Sequence, residues 1–230
     1  MDWLGVLRLN HWTGLLWATG ALGFWAPVCP AAALKVDVVD RDGKPVNDVV
    51  VVASLHPASG SLAPVQPTSH AIMDQVDRQF VPRILVIRTG TPVDFPNSDT
   101  VAHQVYSFSP AKRFQLSLYK GHVYPPLVFD QPGLIVLGCN IHDNMLGYIY
   151  VTPSPYFGKT SADGSVQLEG LPRGDYAVSA WSPRFNETTD EITRELRLAG
   201  DSRQPVTLRL SKPLSPEPRV RPAKANRSDY

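Results

Sequence analysis

The sequence predicts an all-β protein built from two small sandwiches. Short β-branched and aromatic runs recur along most of its length, turn signals separate them, and no stretch beyond the N-terminus shows helical periodicity. The 22 prolines and 16 glycines among 230 residues fit many turns, and a 43% hydrophobic content suffices for a core. A formal net charge of +1 gives no basis for a nucleic-acid partner or an anionic membrane surface.

The chain opens with an export signal of the Sec type. Arg8 and His11 precede the apolar stretch TGLLWATGALGFWA, and Ala31 and Ala33 supply small residues for a cut after Ala33. A retained anchor is the alternative, but the apolar run is short for a full span. Residues 1–33 are therefore expected to leave a periplasmic protein with no stable membrane span. Val28, just ahead of Cys29, is unlike the small residue that lipoprotein signals place there. Of the two cysteines, only Cys139 would remain after the cut, in an oxidising setting where a free thiol tends to pair or oxidise unless buried or bound.

Strands follow in order. LKVDVVD and DVVVVASL flank RDGKP, whose Asp-Gly predicts a hairpin, and SGSLAPVQPTS reads as a linker. ILVIR, PVDF, HQVYSF, FQLSLY, PLVF, LIVLGC and LGYIYVT come next, and the tyrosines of YIYV are read as alternating between core and surface. SVQLEG, GDYAVSAW, ITRELRL and QPVTLRL complete the series. Residues 213–230, rich in proline and charge, are expected to form a disordered tail.

Two flanking pieces resemble one family. VDVVDRDGKPVNDVVVV is similar to the opening of carboxypeptidase regulatory-like, prealbumin-type sandwiches. TSADGSVQLEGLPRGDYAVSA is similar to their second half, where Asp-Gly turns a hairpin and Gly-Asp-Tyr starts a strand. The resemblance implies one discontinuous sandwich over residues 34–62 and 157–212, with a second domain over 69–155 inserted. Two sandwiches in tandem are the alternative.

Within the middle segment, GCNIHDNMLGYIYV brings Cys139, His142 and Met145 together at intervals of three. Thiolate, imidazole and thioether form a soft donor set suited to copper and poorly suited to magnesium or calcium. His103, in SDTVAHQVYSF, is available as a second imidazole from an upstream strand. Zinc sites usually use more cysteines, a c-type haem needs Cys-x-x-Cys-His, and a Cys139 nucleophile with a histidine base stays open as an alternative. So does an ordinary core without metal. His56, His70 and His122 read as solvated, and Met73 as a core or edge residue.

These residues carry a second resemblance. FVPRILVIRTGTPVDFPNSDTVAHQVYSF and PGLIVLGCNIHDNMLGYIYV resemble the two halves of a cupredoxin, a Greek-key β-sandwich, over about residues 69–152. Cys-x₂-His-x₂-Met matches the short loop of amicyanin, plastocyanin having two further residues before Met, and the chain most resembles cupredoxin-like methylamine utilisation proteins. The likeness implies one copper ion, cycling between Cu(I) and Cu(II), held by His103, Cys139, His142 and Met145. Gln104 stands where many cupredoxins have Asn, with Asn140 as its hydrogen-bond partner, and Asp143 replaces a proline. A site with four protein ligands and no open position implies an electron carrier rather than an enzyme. Its partner would be a redox protein such as a c-type cytochrome or a periplasmic dehydrogenase. A copper-delivery module and a metal-free scaffold or adhesion protein are the alternative functions.

Overall fold

The computed structural model describes residues 32–57, 70–121, 124–189, 192–199 and 205–216, and among these there is no α-helix. The all-β expectation therefore holds for the described residues. Strand β1 (Ala32–Val39) alternates strictly, burying Ala32, Leu34, Val36 and Val38. It lies between β14 (Ser165–Leu171), antiparallel, and β17 (Val206–Arg209), parallel. A facing sheet has the order β13 (Tyr156–Lys159), β2 (Val50–Leu55), β15 (Gly174–Trp181), β16 (Arg194–Leu198). Leu34, Val36, Val38, Val51, Leu168 and Tyr176 fill the core between the two sheets. Each fully buried aliphatic side chain contributes about 1.5–3 kcal/mol. The exposed Lys35–Asp37 ion pair, at 3.2 Å, is worth at most about 1 kcal/mol. Apolar alternation, not charge, sets this register.

Both Asp-Gly signals depart from the hairpin expectation. Asp42-Gly43 does reverse the chain, with Gly43 at φ 85° and a bridge from Val39 to Pro45. Strand β2 then crosses to the other sheet instead of pairing with β1. Asp163-Gly164 likewise turns a corner between β13 and β14, which belong to different sheets. The physical reason is burial on both faces of β2. Val51 and Ala53 point into the core while Val50 and Val52 are buried on the opposite side, so this strand needs a central position with cover above and below.

Residues 70–152 form two further sheets around a second core. One has the order β10 (Leu127–Phe129), β7 (Thr91–Asp94), β3 (Ala71–Ile72). The other has the order β6 (Ile84–Arg88), β12 (Leu146–Thr152), β11 (Gly133–Gly138), β8 (His103–Ser107), β9 (Phe114–Tyr119). Pairs β6–β12 and β3–β7 are parallel, and a small ribbon, β4 (Asp74–Val76) with β5 (Gln79–Val81), completes the unit. Successive strands β6, β7 and β8 alternate between the sheets, so crossovers combine with the adjacent pairs β8–β9 and β11–β12. Met73, Phe95, Val105, Phe129, Ile135 and Ile149 are buried between them. Met73 is thus a core residue.

The two sandwiches touch along an apolar seam. Val50, Val52, Phe157 and Trp181 meet Ile84, Val86, Tyr148 and Tyr150. Trp181 stands with its ring centroid 5.6 Å from each of the two tyrosines. The tyrosines of YIYV do not divide between core and surface. Two residues apart on one strand, they share a face, and the other sandwich covers it. Lys159 also spans the seam, donating to Asp48 at 2.7 Å and to the Ile84 carbonyl at 2.9 Å.

Residues 213–216, expected to open a disordered tail, are tied to the first sandwich. Asn186 donates to the Pro213 carbonyl at 2.6 Å, the Ser215 N–H donates to the Arg184 carbonyl at 2.8 Å, and Leu214 packs on the first core. Backbone pairing and one apolar anchor tie down these residues despite their polar composition. Residues 217–230, the expected linker 59–69, His122 and nearly all of the expected export signal lie outside the described residues; of the stretch expected to be cut away, Ala32 and Ala33 open β1.

If residues 34–57 and 153–216 fold as one unit, replacing residues 69–152 by a short linker is expected to leave a cooperatively melting β protein. Thermal unfolding followed by circular dichroism checks this. A disordered product beside a well-folded fragment 34–155 would reverse the assignment.

Candidate metal centre

The candidate centre sits at one end of the five-stranded sheet. Cys139 follows the last residue of β11, Met145 precedes the first of β12, and His103 opens β8. The intervening loop is closed by Met145 N–H donating to the His142 carbonyl at 2.9 Å. Gly138 makes the entry possible. A Cβ there would lie 2.6 Å from the Tyr106 ring, so glycine lets that ring lie across β11 beside Cys139. Asn140 donates to Gln104 at 2.6 Å, linking the loop to β8.

His103 is fully buried. Its Nε2 stands 2.9 Å from Asp99 Oδ2, and a carboxylate can only accept, so Nε2 carries the proton and Nδ1 presents its lone pair. Asp99 also accepts from the backbone N–H groups of Arg78 at 2.7 Å and Thr100 at 2.6 Å. Burial alone would raise the Asp99 carboxyl, but these hydrogen bonds outweigh it and bring the pKa to about 2. Burial would likewise lower His103, yet its bonds to Cys139 and Asp99 raise it. At Cys139 burial opposes ionisation, while the His103 contact and the Gln104 and Ile141 N–H groups lower the thiol pKa.

Three donor atoms converge. His103 Nδ1 and His142 Nδ1 are 3.1 Å apart, and Cys139 Sγ lies 3.9 and 3.8 Å from them respectively. Two imidazole lone pairs cannot face each other at that distance without a proton or a cation between them. These separations place a point about 2.1 Å from all three atoms, against about 2.0–2.1 Å for metal–imidazole and about 2.3 Å for metal–thiolate bonds. The donor set and the spacing therefore fit a borderline or soft metal ion.

Of the four residues singled out by sequence, His103, Cys139 and His142 form this cluster. Met145 is buried in the same core as Cys139. His142 is half-buried, between exposed Ile141 and Asp143. The remaining described histidines lie elsewhere: His56 pairs with Glu195 at 2.6 Å and His70 with Asp94 at 2.8 Å. Sequence reasoning passed over Asp99, whose residue type in NSDT suggests only a turn. The available signal was a carboxylate four positions ahead of a candidate ligand.

No protein-family model and no curated protein matches the chain. Among solved structures, it is similar to a purple cupredoxin from Nitrosopumilus maritimus at 23% identity, covering 35% of this chain and 96% of that one, with TM-score 0.31. A reduced amicyanin variant is 19% identical over 44% of this chain and 98% of its own, with TM-score 0.33. A copper-containing nitrite reductase from Thermus scotoductus SA-01 is 22% identical over 50% of this chain, TM-score 0.35; the match spans 28% of the reductase.

Asp99→Asn is expected to destabilise the metal-free protein by about 2 kcal/mol near neutral pH. A carboxyl lowered from 3.8 to about 2 contributes stability that is fully present above about pH 4 and is lost as the pH falls toward 2. Denaturant titrations of both proteins should therefore differ at pH 6 and converge near pH 2. A pH-independent difference would exclude this linkage.

Proposed function

We propose that the middle sandwich is a cupredoxin-type domain whose His103, Cys139 and His142 hold one copper ion, with Met145 as a weak axial donor, and that the protein carries single electrons. The observation that carries this reading is the convergence of two imidazole nitrogens and one thiol sulfur on a single point at bonding distance. The sheet order and the seven-residue Cys139–Met145 loop agree with it.

When bound, copper supplies one-electron cycling between Cu(I) and Cu(II). The protein's part is to hold its donors in one arrangement for both states. Asp99 fixes the tautomer and ring plane of His103, the role that outer hydrogen bonds play for metal-bound imidazoles generally. Backbone N–H groups of Gln104 and Ile141 stabilise the Cys139 thiolate. The Asn140–Gln104 bond limits loop movement. Four protein donors leave no position for a substrate, which favours a carrier over an enzyme. His142, half-buried beside the exposed Ile141, is the donor through which a redox protein would exchange electrons. Within the described residues no helix is long and apolar enough to cross a membrane, and an exported, periplasmic carrier remains part of this proposal.

The test is the visible spectrum of the exported protein loaded with Cu(II). Wild type should show an intense thiolate-to-copper band. Cys139→Ser should lose it, and His103→Ala should weaken binding and admit solvent. Met145→Gln should keep the ion but lower the reduction potential, since a harder oxygen donor favours Cu(II). Equal colour in Cys139→Ser would end the proposal, and complete copper loss in Met145→Gln would remove the axial assignment.

A further inference from the structure

The facing sheets of the two sandwiches diverge at one end of their seam and enclose a cleft of about 470 Å³. One wall is the outer face of β2 and β15. Along β2 this face carries Val50, Val52 and Ser54, and along β15 it carries Trp181 and Ser179, with Trp181 opposite Val50 and Ser179 opposite Val52. The face thus changes from apolar, where it meets the other sandwich, to hydroxyl-bearing, where it does not. Tyr150 and Thr152 of β12, with the backbone at Pro132–Leu134, form the other wall.

Three features define what such a cleft would hold. No residue lining it is charged, so an ionic ligand would lose hydration without gaining a counter-charge. Among the described residues, the hydroxyls of Ser54, Ser179 and Tyr150 make no hydrogen bond within the chain, so a purely apolar ligand would strip water from them uncompensated. Trp181 and Tyr150, packed on each other with ring centroids 5.6 Å apart, line the cleft with aromatic surface that suits weakly positive C–H groups. The volume falls within the roughly 300–1,000 Å³ of small-molecule sites, which favour domain interfaces.

We propose that this cleft binds a neutral polyhydroxylated ligand, a free sugar or the end of a neutral glycan, between the two sandwiches. The site uses none of the metal-centre residues and stands independently of the copper reading. It assigns the flanking sandwich of β1, β2 and β13–β17 a function: one wall of the cleft, including Trp181, belongs to it.

Trp181 provides the probe, because the other four of the five tryptophans lie within residues 1–31. Emission of the exported protein is titrated with glucose, maltotriose, cellotriose, diacetylchitobiose and, as a charged control, trigalacturonate; Trp181→Phe identifies the signal of this residue. At least one neutral sugar is expected to give a saturable change, with trigalacturonate at least about tenfold weaker. Glucose binding as tightly as the oligosaccharides indicates a free sugar, and binding of oligosaccharides alone indicates a glycan end. Ser179→Tyr, which fills the cleft, and Ser54→Tyr, at its exposed rim, should each abolish the change while leaving the copper spectrum unaltered. No response to any neutral sugar, as for a cleft that takes a protein segment, would overturn the proposal. So would equal affinity for trigalacturonate, or undiminished binding in both tyrosine variants.

Discussion

A buried imidazole held from both sides organises the functional end of this protein. His103 has no solvent contact, so both of its nitrogens need partners within the chain. Asp99 accepts a hydrogen bond from Nε2–H, and Nδ1 is left facing His142 and Cys139. Much of the surrounding architecture serves this arrangement. The 97–101 turn is tied by Asn97, which donates to the Val101 and Tyr119 carbonyls at 3.0 and 2.8 Å. Strand β9 thereby holds the turn that holds Asp99. Gly138 lets Tyr106 lie against the strand that delivers Cys139.

A second constraint, burial on both faces of single strands, joins the two halves of the molecule. Strand β2 is apolar toward its own core and toward the seam, and β12 turns Ile149 and Val151 inward while Tyr148 and Tyr150 face the other sandwich. With one face bare, sheets of this kind lose the stabilisation that burying that face contributes. Docking them against each other covers Val50, Val52 and Ile84 almost completely. The aromatic cluster around Trp181 fills the seam, and its outer end opens into the cleft. The candidate metal centre and the cleft lie on the same five-stranded sheet, one at the end of β11 and the other along β12.

Much of this was legible from residues alone. Alternation marked β1, β8, β12 and β15, because a sheet with one buried face imposes period two on its sequence. The grouping of Cys139, His142 and Met145 was visible because one short loop supplies all three. His103 entered as the second imidazole that the donor set lacked and then through a motif resemblance, since its 36-residue separation from Cys139 carries no local signal. The Gln104–Asn140 contact followed from chemical complementarity at two positions flanking the donors.

What the sequence determined by itself was local: which segments are strands, where the chain turns, and which side chains have metal-binding chemistry. Partnership between distant segments was decided only in three dimensions. Asp-Gly marks a reversal, but whether the next strand pairs back or crosses to a facing sheet depends on the cover its second face requires, and β2 crosses. The tyrosines of β12 share a face in any strand, yet only the second sandwich makes that face an interior. Asp99 reads as a turn residue until folding buries its carboxylate against His103. In each case the deciding term is desolvation, which belongs to the packed assembly and to no residue in isolation.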